Sequence, residues 1–410
     1  MKPSQLAVGH PPFRTQPVRE PGSRRLLIAT GLLVAASTVR SLRIELGGLS
    51  IPAHVIPILF ALPTIVMPTF QRFPTRLRAV SVLFLAIFGF AVVRYGSDFG
   101  DLVKMITSAL TLVAMALMVG KREHFVPATV ALVVSLLIAN VNGLRGGFVD
   151  FVGYEPLKNI GNKNAYSIYA LPIVLLAGYC MLQFKMKLAT RLLFGASIIS
   201  SAFILFSGAN RSGWGGLVLI GVLLAAQTRQ WRALATVGAL AAISYGALVW
   251  LGTSQTFDHR VQQTRDGYSS DDLRVSMFET AMDIGIDNPV FGVTPQELKY
   301  ELARRIGGDS PVLDTHNFIG YIVGSGGFPL LIALIALGIA FFRRPIGKLS
   351  RDTINAHDLV RMIVVLFVYR GIFSREVFFV GPFPIAFGLA LGLMLASQDE
   401  AATPPQSLRV

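Results

Sequence analysis

The sequence predicts an all-α fold, a polytopic bundle of about twelve transmembrane helices with one large polar loop. Three observations lead to this prediction. The chain has 410 residues, of which 53% are hydrophobic. Only 15% are charged, whereas soluble domains carry about 25%. Apolar segments recur along the chain, and residues 253–317 form the one long polar stretch between them.

The N-terminal segment, residues 1–25, is polar, rich in proline and basic, which is typical of a disordered cytoplasmic tail. Residues 26–39 form a short apolar run. Part of it, Val34-Ala35-Ala36-Ser37, loosely resembles a signal-peptidase site. The run is therefore either an uncleaved first helix, which we favour, or a cleaved signal. In both cases the chain emerges on the same side of the membrane.

Further apolar segments are long enough to cross a hydrocarbon core of about 30 Å. Before the large loop they lie at residues 51–67, 79–93, 102–119, 125–141, 165–182, 188–207, 213–227 and 231–252. After it they lie at residues 318–342, 359–373 and 378–396. Nine spans are thus predicted within residues 26–252 and three within residues 318–397, followed by a second cytoplasmic tail at 398–410.

The distribution of charge indicates how these spans are oriented. If the N-terminus lies inside, most of the 37 lysine and arginine residues fall in cytoplasmic segments and most acidic residues fall outside. This asymmetry is expected of a multi-pass protein of a bacterial inner membrane. It places both termini in the cytoplasm and residues 253–317 in the periplasm. The net charge of +14 therefore reflects topology, and we expect no nucleic-acid partner.

Several basic residues nevertheless fall on the predicted outer face, among them Arg211, Arg370 and Arg375. Charges at membrane depth are costly and often mark a functional site. Each of these side chains could instead extend to the lipid headgroups. As a group, the guanidinium side chains suit an anionic ligand such as a diphosphate, which arginine can bind through paired donors.

Two short polar motifs lie beside predicted outer helix ends. In Gly161-Asn162-Lys163-Asn164, the amides of Asn162 and Asn164 and the intervening ammonium could bind a sugar or a phosphate. The same residues could simply cap the following helix. Residues 207–214, Ser-Gly-Ala-Asn-Arg-Ser-Gly-Trp, form a tight turn that presents Arg211. A plain helical hairpin requires the glycines of this turn but not the arginine.

The large loop carries the third group of candidates. Apolar residues recur at helical spacing between positions 273 and 284, which predicts a short amphipathic helix on the membrane surface that includes Arg274. The loop ends in His316-Asn317, directly before an apolar segment. A histidine fixed at the start of a membrane helix, close to Asp314, is a candidate general base.

With these motifs the chain resembles the O-antigen ligase and polymerase superfamily of bacterial inner-membrane glycosyltransferases, over roughly residues 160–334. That family combines a Gly-Asn-x-Asn motif, an arginine in a Ser-rich turn, and a periplasmic loop with an arginine and Pro-x-x-Gly. His-Asn and a Gly-x-x-Gly turn follow. The matching residues are Gly161-Asn162-Lys163-Asn164, Arg211, Arg274, Pro289-Val290-Phe291-Gly292, His316-Asn317 and Gly327. The sequence departs from the pattern at Leu330, which replaces the second glycine, and at Ser325, where an acidic residue is common.

The resemblance implies a GT-C-like membrane fold and a donor in which a glycan is joined to undecaprenyl diphosphate. The acceptor would be a lipid A core or a growing polysaccharide. Arg211 and Arg274 would bind the diphosphate and His316 would deprotonate the acceptor hydroxyl. The full set of substrate-binding residues expected from the sequence is Arg211, Arg274, Asn162, Asn164, Asn317, Arg370 and Arg375. No cofactor or metal ion is implied.

Other enzyme classes fit the sequence less well. Gly347-Lys348-Leu349 lacks the upstream glycine and the hydroxyl of a Walker A motif, and no Asp-x-Asp sequence occurs. The single cysteine, Cys180, lies in an apolar segment and supplies neither an intrachain disulfide nor a cysteine metal site. Two alternatives stay open, a repeat-unit polymerase of the same superfamily and a transporter or flippase of lipid-linked or anionic solutes.

The predicted topology can be tested with single cysteines. In a Cys180→Ser background, we expect a membrane-impermeant thiol reagent to label Ser269→Cys in spheroplasts and to leave Ser350→Cys unlabelled, because only position 269 is predicted to be periplasmic. Labelling at 350 without labelling at 269 would reverse the orientation and remove the basis for a periplasmic site.

Overall fold

The structure is a computed structural model, and it describes the chain in part. The described ranges are residues 43–46, 49–52, 122–145, 163–207, 210–229, 270–307, 314–343, 351–378 and 382–402, with scattered positions in 78–119 and 235–246. The predicted spans at 26–39, 51–67, 79–93, 102–119 and 231–252 therefore lie wholly or largely outside the described residues. The total of twelve spans stays a prediction.

Within these ranges the fold is a helical bundle, as the sequence predicts. The helices are α1 (Phe125–Arg145), α2 (Lys163–Gln183), α3 (Leu188–Ser207), α4 (Arg211–Thr228), α5 (Ser270–Asp287), α6 (Pro295–Ile306), α7 (Phe318–Phe342), α8 (Arg351–Phe373) and α9 (Pro382–Ala402). Short 3-10 helices occupy Arg122–His124 and Arg375–Phe378. The all-α prediction missed one element, an antiparallel hairpin of β1 (Arg43–Leu46) and β2 (Leu49–Pro52), in which Arg43 pairs with Pro52.

Four helical segments of the described chain have the length and hydropathy needed to cross a membrane. They are Arg122–Val141, Tyr166–Gln183, Leu188–Phe206 and Phe318–Phe342, and Pro382–Gln398 is a shorter apolar helix. All five coincide with predicted spans. In contrast, α8 begins at Arg351, eight residues before the predicted span at 359. The first turns of α8 are polar, and their side chains form hydrogen bonds with neighbouring segments. Thr353 Oγ1 donates to Ser397 O (3.2 Å), and His357 Nε2 lies 3.0 Å from Arg343 O.

Helix α8 lies at the centre of the described bundle and packs against α2, α4, α7 and α9. Side chains from α1–α4, α8 and α9 form one continuous apolar core. Helices α5, α6 and α7 share a second core, which includes Ala281, Leu298 and Tyr321. The loop that the sequence marks as polar thus has an apolar core of its own, built against the first turns of α7.

The two ends of the bundle carry different sets of contacts. At one end, Gln227 Nε2 of α4 donates to Asn355 O of α8 (3.2 Å), and Asn355 Nδ2 donates to Gln183 Oε1 of α2 (3.3 Å). Arg122 and Asp352 form an ion pair at the same end. All of these lie in or next to segments predicted to be cytoplasmic. We call the opposite end, where α4 and α7 begin and α8 finishes, the outer end.

Helix α7 is broken at Gly327, which has φ 71° and ψ −177°, a conformation that essentially only glycine adopts. The turn after α5 docks into this break. Val293 N donates to Gly324 O (2.8 Å) and Phe328 N donates to Pro289 O (2.9 Å), so the turn satisfies backbone groups that the break releases. Gly292, with φ 63°, approaches so closely that a Cβ atom there would lie 2.5 Å from Gly324 O.

The two parts of α7, before and after the break at Gly327, differ in how deeply their side chains are buried. Residues 320–327 are all buried. Beyond the break, Ile332, Ile335 and Ile339 are exposed at helical spacing, which is typical of a lipid-facing stripe. Helix α5 covers the buried part and runs in the same direction, since a Cβ atom on Gly320 would contact Ala281 and one on Gly285 would contact Val323. The predicted helix containing Arg274 is therefore confirmed, while its position on the membrane surface stays a prediction.

Helix α6 was not predicted from the sequence. It begins with a capping box, in which Glu297 N donates to Thr294 Oγ1 (2.9 Å), and Pro295 occupies its first turn. Its exposed face carries ion pairs, one of them between Arg305 Nη2 and Asp287 Oδ2 of α5 (2.7 Å). A hydrogen bond from Arg304 lowers the pKa of Glu301 on the same face.

The break at Gly327 gives a stability prediction with an internal control. Gly327→Ala places a Cβ atom 2.7 Å from the backbone of Val290 in a conformation that alanine disfavours, whereas Gly338→Ala in the same helix meets nothing within 4 Å. We expect Gly327→Ala to cost at least ~1–3 kcal/mol and to lower the melting temperature by several degrees in detergent. Gly338→Ala should leave it unchanged or slightly higher. Equal melting temperatures for the two variants would show that the turn is not docked in the break.

Candidate functional site

The last turn of α8 and the residues after it, 369–375, connect the elements that carry the candidate residues at the outer end. We call this stretch the α8 terminus. It contacts the first turn of α4, which begins with Arg211, and the segment 314–317, which contains His316. Two of the candidates, Arg211 and Arg375, lie 164 positions apart in the sequence (375 − 211), so these contacts decide whether the candidates form one site.

The start of α4 is held from two directions. Asn210 caps the helix, because its Oδ1 accepts from Gly213 N (2.9 Å) and from Ser212 Oγ (2.9 Å). From α8, Tyr369 donates its hydroxyl to Ser212 O (2.9 Å), and Arg370 Nη1 donates to Ser212 Oγ. Arg211 is the first residue of the helix so held and is partly buried.

Arg370 has no exposed surface, although its side chain is charged and among the largest in the described core. Burial of a charge is very costly unless hydrogen bonds or ion pairs compensate it, and the hydrogen bond to Ser212 offsets part of this cost. Arg274 on α5 is near enough to Arg370 for their positive charges to repel each other. Arg370 therefore lies beneath the surface, against the start of the helix that presents Arg211.

The segment before α7 presents His316 at the outer end. His316 is exposed and has φ 46°, in the left-handed region that residues with a Cβ atom rarely adopt. Asn317 caps α7, since its Oδ1 accepts from Ile319 N (2.8 Å) and Gly320 N (3.1 Å). Its Nδ2 donates to Ile372 O in the last turn of α8 (3.0 Å). The amide of Asn317 thus fixes α7 to α8.

A second connection lies two residues before His316. Asp314 Oδ1 pairs with Arg375 Nε at 2.8 Å. The guanidinium of Arg375 also lies over the ring of Tyr321, 5.0 Å from its centroid, in a cation–π contact. Tyr321 is buried on α7, one turn beyond the cap.

The candidates from the sequence therefore divide into three groups. Arg211, Arg274 and His316 lie on elements joined at the outer end. Arg370, Arg375 and Asn317 make the contacts that join those elements. Asn162 lies outside the described residues, and Asn164 is in the first turn of α2 with its side chain outside them.

Two residues of the site were not identified from the sequence. Ser212 and Tyr369 connect α4 to α8, but a serine in a turn and a tyrosine near a helix end carry no distinctive sequence signal. Where the chain is described, no three His, Cys, Asp or Glu side chains are grouped closely enough to hold a metal ion.

Residues 195–335 match a family model described as O-antigen ligase. Over these residues the chain is similar to O-antigen ligases. The matched region runs from α3 to α7 and includes Arg211, Arg274 and His316, so it covers the elements that present these residues at the outer end. The α8 terminus lies beyond the match. No curated protein sequence matches the chain.

The match agrees with the apolar helices of the described bundle and indicates a membrane enzyme of the glycosyltransferase type. The substrates of O-antigen ligases are lipid-linked glycans and polysaccharides. The resemblance stated from the sequence is therefore confirmed over residues 195–335, although the Gly-x-x-Gly pattern is incomplete here.

The contact between Arg370 and Ser212 can be tested by removing the hydroxyl. Ser212→Ala leaves a buried guanidinium without this acceptor, which should cost about 1–3 kcal/mol and lower the melting temperature. The control is Ser397→Ala, because Ser397 Oγ donates to Leu393 O of its own helix (2.8 Å) and should be nearly neutral when removed. A Ser212→Ala protein as stable as the control would show that Arg370 does not depend on this bond.

Proposed function

We propose that the protein transfers a glycan from undecaprenyl diphosphate to an acceptor hydroxyl at the periplasmic face of the inner membrane. One observation carries this proposal: the α8 terminus joins the elements that present Arg211 and His316, and α5, which presents Arg274, packs on α7 directly after His316. All three residues lie within the matched O-antigen ligase region. Two positive groups and an exposed imidazole at the same end of the bundle suit a reaction in which a diphosphate leaves and a hydroxyl is deprotonated.

The reaction breaks the bond between the anomeric carbon and the diphosphate oxygen and forms a bond from that carbon to the acceptor oxygen. The proton of the acceptor hydroxyl passes to His316, and the bond electrons leave with undecaprenyl diphosphate. Arg211 and Arg274 bind the diphosphate and stabilise the negative charge that develops on it. The donor is already activated by its diphosphate, so the chemistry requires neither ATP nor a metal ion.

The contacts of Arg370, Arg375 and Asn317 support a modified role for these residues. The sequence suggested that they bind substrate. In this proposal Arg370, which is fully buried, donates a hydrogen bond to Ser212 and so stabilises the start of α4. Asn317 uses both ends of its amide to cap α7 and contact α8. The proposed roles of Asn162 and Asn164 in binding a sugar or a phosphate stay as the sequence suggested.

The acceptor distinguishes two variants of this function. A ligase transfers the glycan to a lipid A core or another final acceptor, whereas a polymerase joins repeat units into a growing polysaccharide. A deletion strain separates them: a ligase defect removes long chains from the surface and leaves lipid-linked polymer, and a polymerase defect leaves single-unit products. A strain with an unchanged surface glycan and an altered distribution of lipid-linked intermediates across the membrane would instead support a transporter or flippase.

The proposed role of His316 predicts a specific loss of activity. His316→Ala should fold and insert normally, because the side chain is exposed at the bundle end, but glycan transfer should fall by roughly 10²–10⁴-fold. The assay uses purified protein with a lipid-linked donor and its acceptor, and thermal melting checks the fold. His259→Ala, a second histidine of the same loop sequence, should stay active. A folded His316→Ala protein with near wild-type activity would contradict the mechanism.

A further inference from the structure

His316 is flanked by two contacts to the α8 terminus. On its C-terminal side, Asn317 Nδ2 donates to Ile372 O (3.0 Å). On its N-terminal side, Asp314 pairs with Arg375 (2.8 Å). The residues contacted, 372 and 375, lie three positions apart, so both flanks of His316 are attached to one short stretch of chain.

The backbone conformation of His316 explains why two attachments are required. A residue with a Cβ atom disfavours the left-handed region in which His316 lies. A free segment would relax toward an extended or right-handed conformation and turn the imidazole away from its present direction. The contacts on either side fix this conformation, and the one at Asn317 also belongs to the cap of α7.

We infer that Arg375 is a positioning residue for the transfer reaction, and that it acts by holding Asp314 so that His316 faces the acceptor. This inference rests on the proposed function. It departs from the sequence-based expectation that Arg375 binds the donor diphosphate. Arg211 and Arg274 then bind the donor, and Arg375 affects the rate through the histidine.

The geometry of Arg375 favours positioning over diphosphate binding. Its Nε contacts Asp314 and one face of its guanidinium covers Tyr321. Its side chain is only 17% exposed. A side chain held by a carboxylate on its edge and by an aromatic ring on its face has a fixed orientation, and Asp314 partly neutralises the charge that a diphosphate would require.

Steady-state kinetics separate the two roles. Arg375→Gln and Asp314→Asn should each lower kcat by between roughly 10- and 100-fold, as expected when a reacting group is misplaced. The KM for the lipid-linked donor should change by less than about two-fold. The double variant should be no slower than the slower single variant, because both changes break the same contact. A raised donor KM with unchanged kcat in Arg375→Gln would show that Arg375 contacts the donor and would overturn the inference.

Lysine substitutions provide a sharper comparison. Arg375→Lys can still pair with one carboxylate oxygen of Asp314 and should retain activity within about five-fold of the parent. Arg211→Lys loses the paired donors that bind a diphosphate and should lose activity much more severely.

The matched control is Arg305→Gln. This change breaks an ion pair with Asp287 in the same loop, and among the described contacts of Arg305 none is to the segment of His316. It should keep its kcat, and an equal loss there would mean that the loop is sensitive to any charge removal.

A measurement without catalysis distinguishes failure of this inference from failure of the proposed function. A nitroxide label at His316→Cys, in a Cys180→Ser background, should show slow motion in its electron paramagnetic resonance spectrum. Adding Arg375→Gln or Asp314→Asn should increase the mobility, and adding Arg305→Gln should not. Unchanged mobility would overturn the positioning role even if His316 proves essential. If His316→Ala is active but the label responds as expected, the proposed mechanism fails while the structural connection stands.

Discussion

The hydrogen bond from the buried guanidinium of Arg370 to the hydroxyl of Ser212 constrains the arrangement of the outer end of this protein. Arg370 cannot reach water, so its position depends on the polar groups around it. Its bond to Ser212 fixes the start of α4 against the end of α8, and Tyr369 adds a bond to the carbonyl of the same residue. The α8 terminus is thereby fixed, and it in turn holds Asn317 and Asp314 on either side of His316. Disturbing Arg370 should therefore affect Arg211 and His316 together.

The glycine motifs have a role separate from substrate binding. Gly292 and Gly327 both have positive φ, and each lies against the backbone of the other's segment. Two motifs that are distant in sequence, Pro-x-x-Gly in the loop and the glycines of α7, thus form one backbone junction. This junction fixes α5, and therefore Arg274, along the buried half of α7. Side-chain hydrogen bonds from Tyr369 and Arg370 thus position Arg211, whereas the backbone junction at Gly292 and Gly327 positions Arg274.

Much of the fold and part of the site could be predicted from local sequence patterns. Apolar segments of sufficient length identified the helices of the described bundle that are long and apolar enough to cross a membrane, and helical spacing identified α5 with Arg274. Helix α6 was missed because a mostly polar sequence conceals its short apolar face, although Thr294 and Glu297 form a capping box. The bond between Arg370 and Ser212 joins residues 158 positions apart, so no local pattern could indicate it. The sequence therefore identified Arg370 as unusual but could not separate a surface ligand from a buried support.

The central claim is that Arg211, Arg274 and His316 form one site around the α8 terminus. An electron cryomicroscopy structure with a bound lipid-diphosphate donor tests it most directly. The account predicts that the diphosphate lies within hydrogen-bonding distance of Arg211 and Arg274, that the imidazole of His316 faces the anomeric carbon, and that Arg370 still contacts Ser212. A diphosphate bound away from Arg211 and Arg274, with His316 directed elsewhere, would contradict the account.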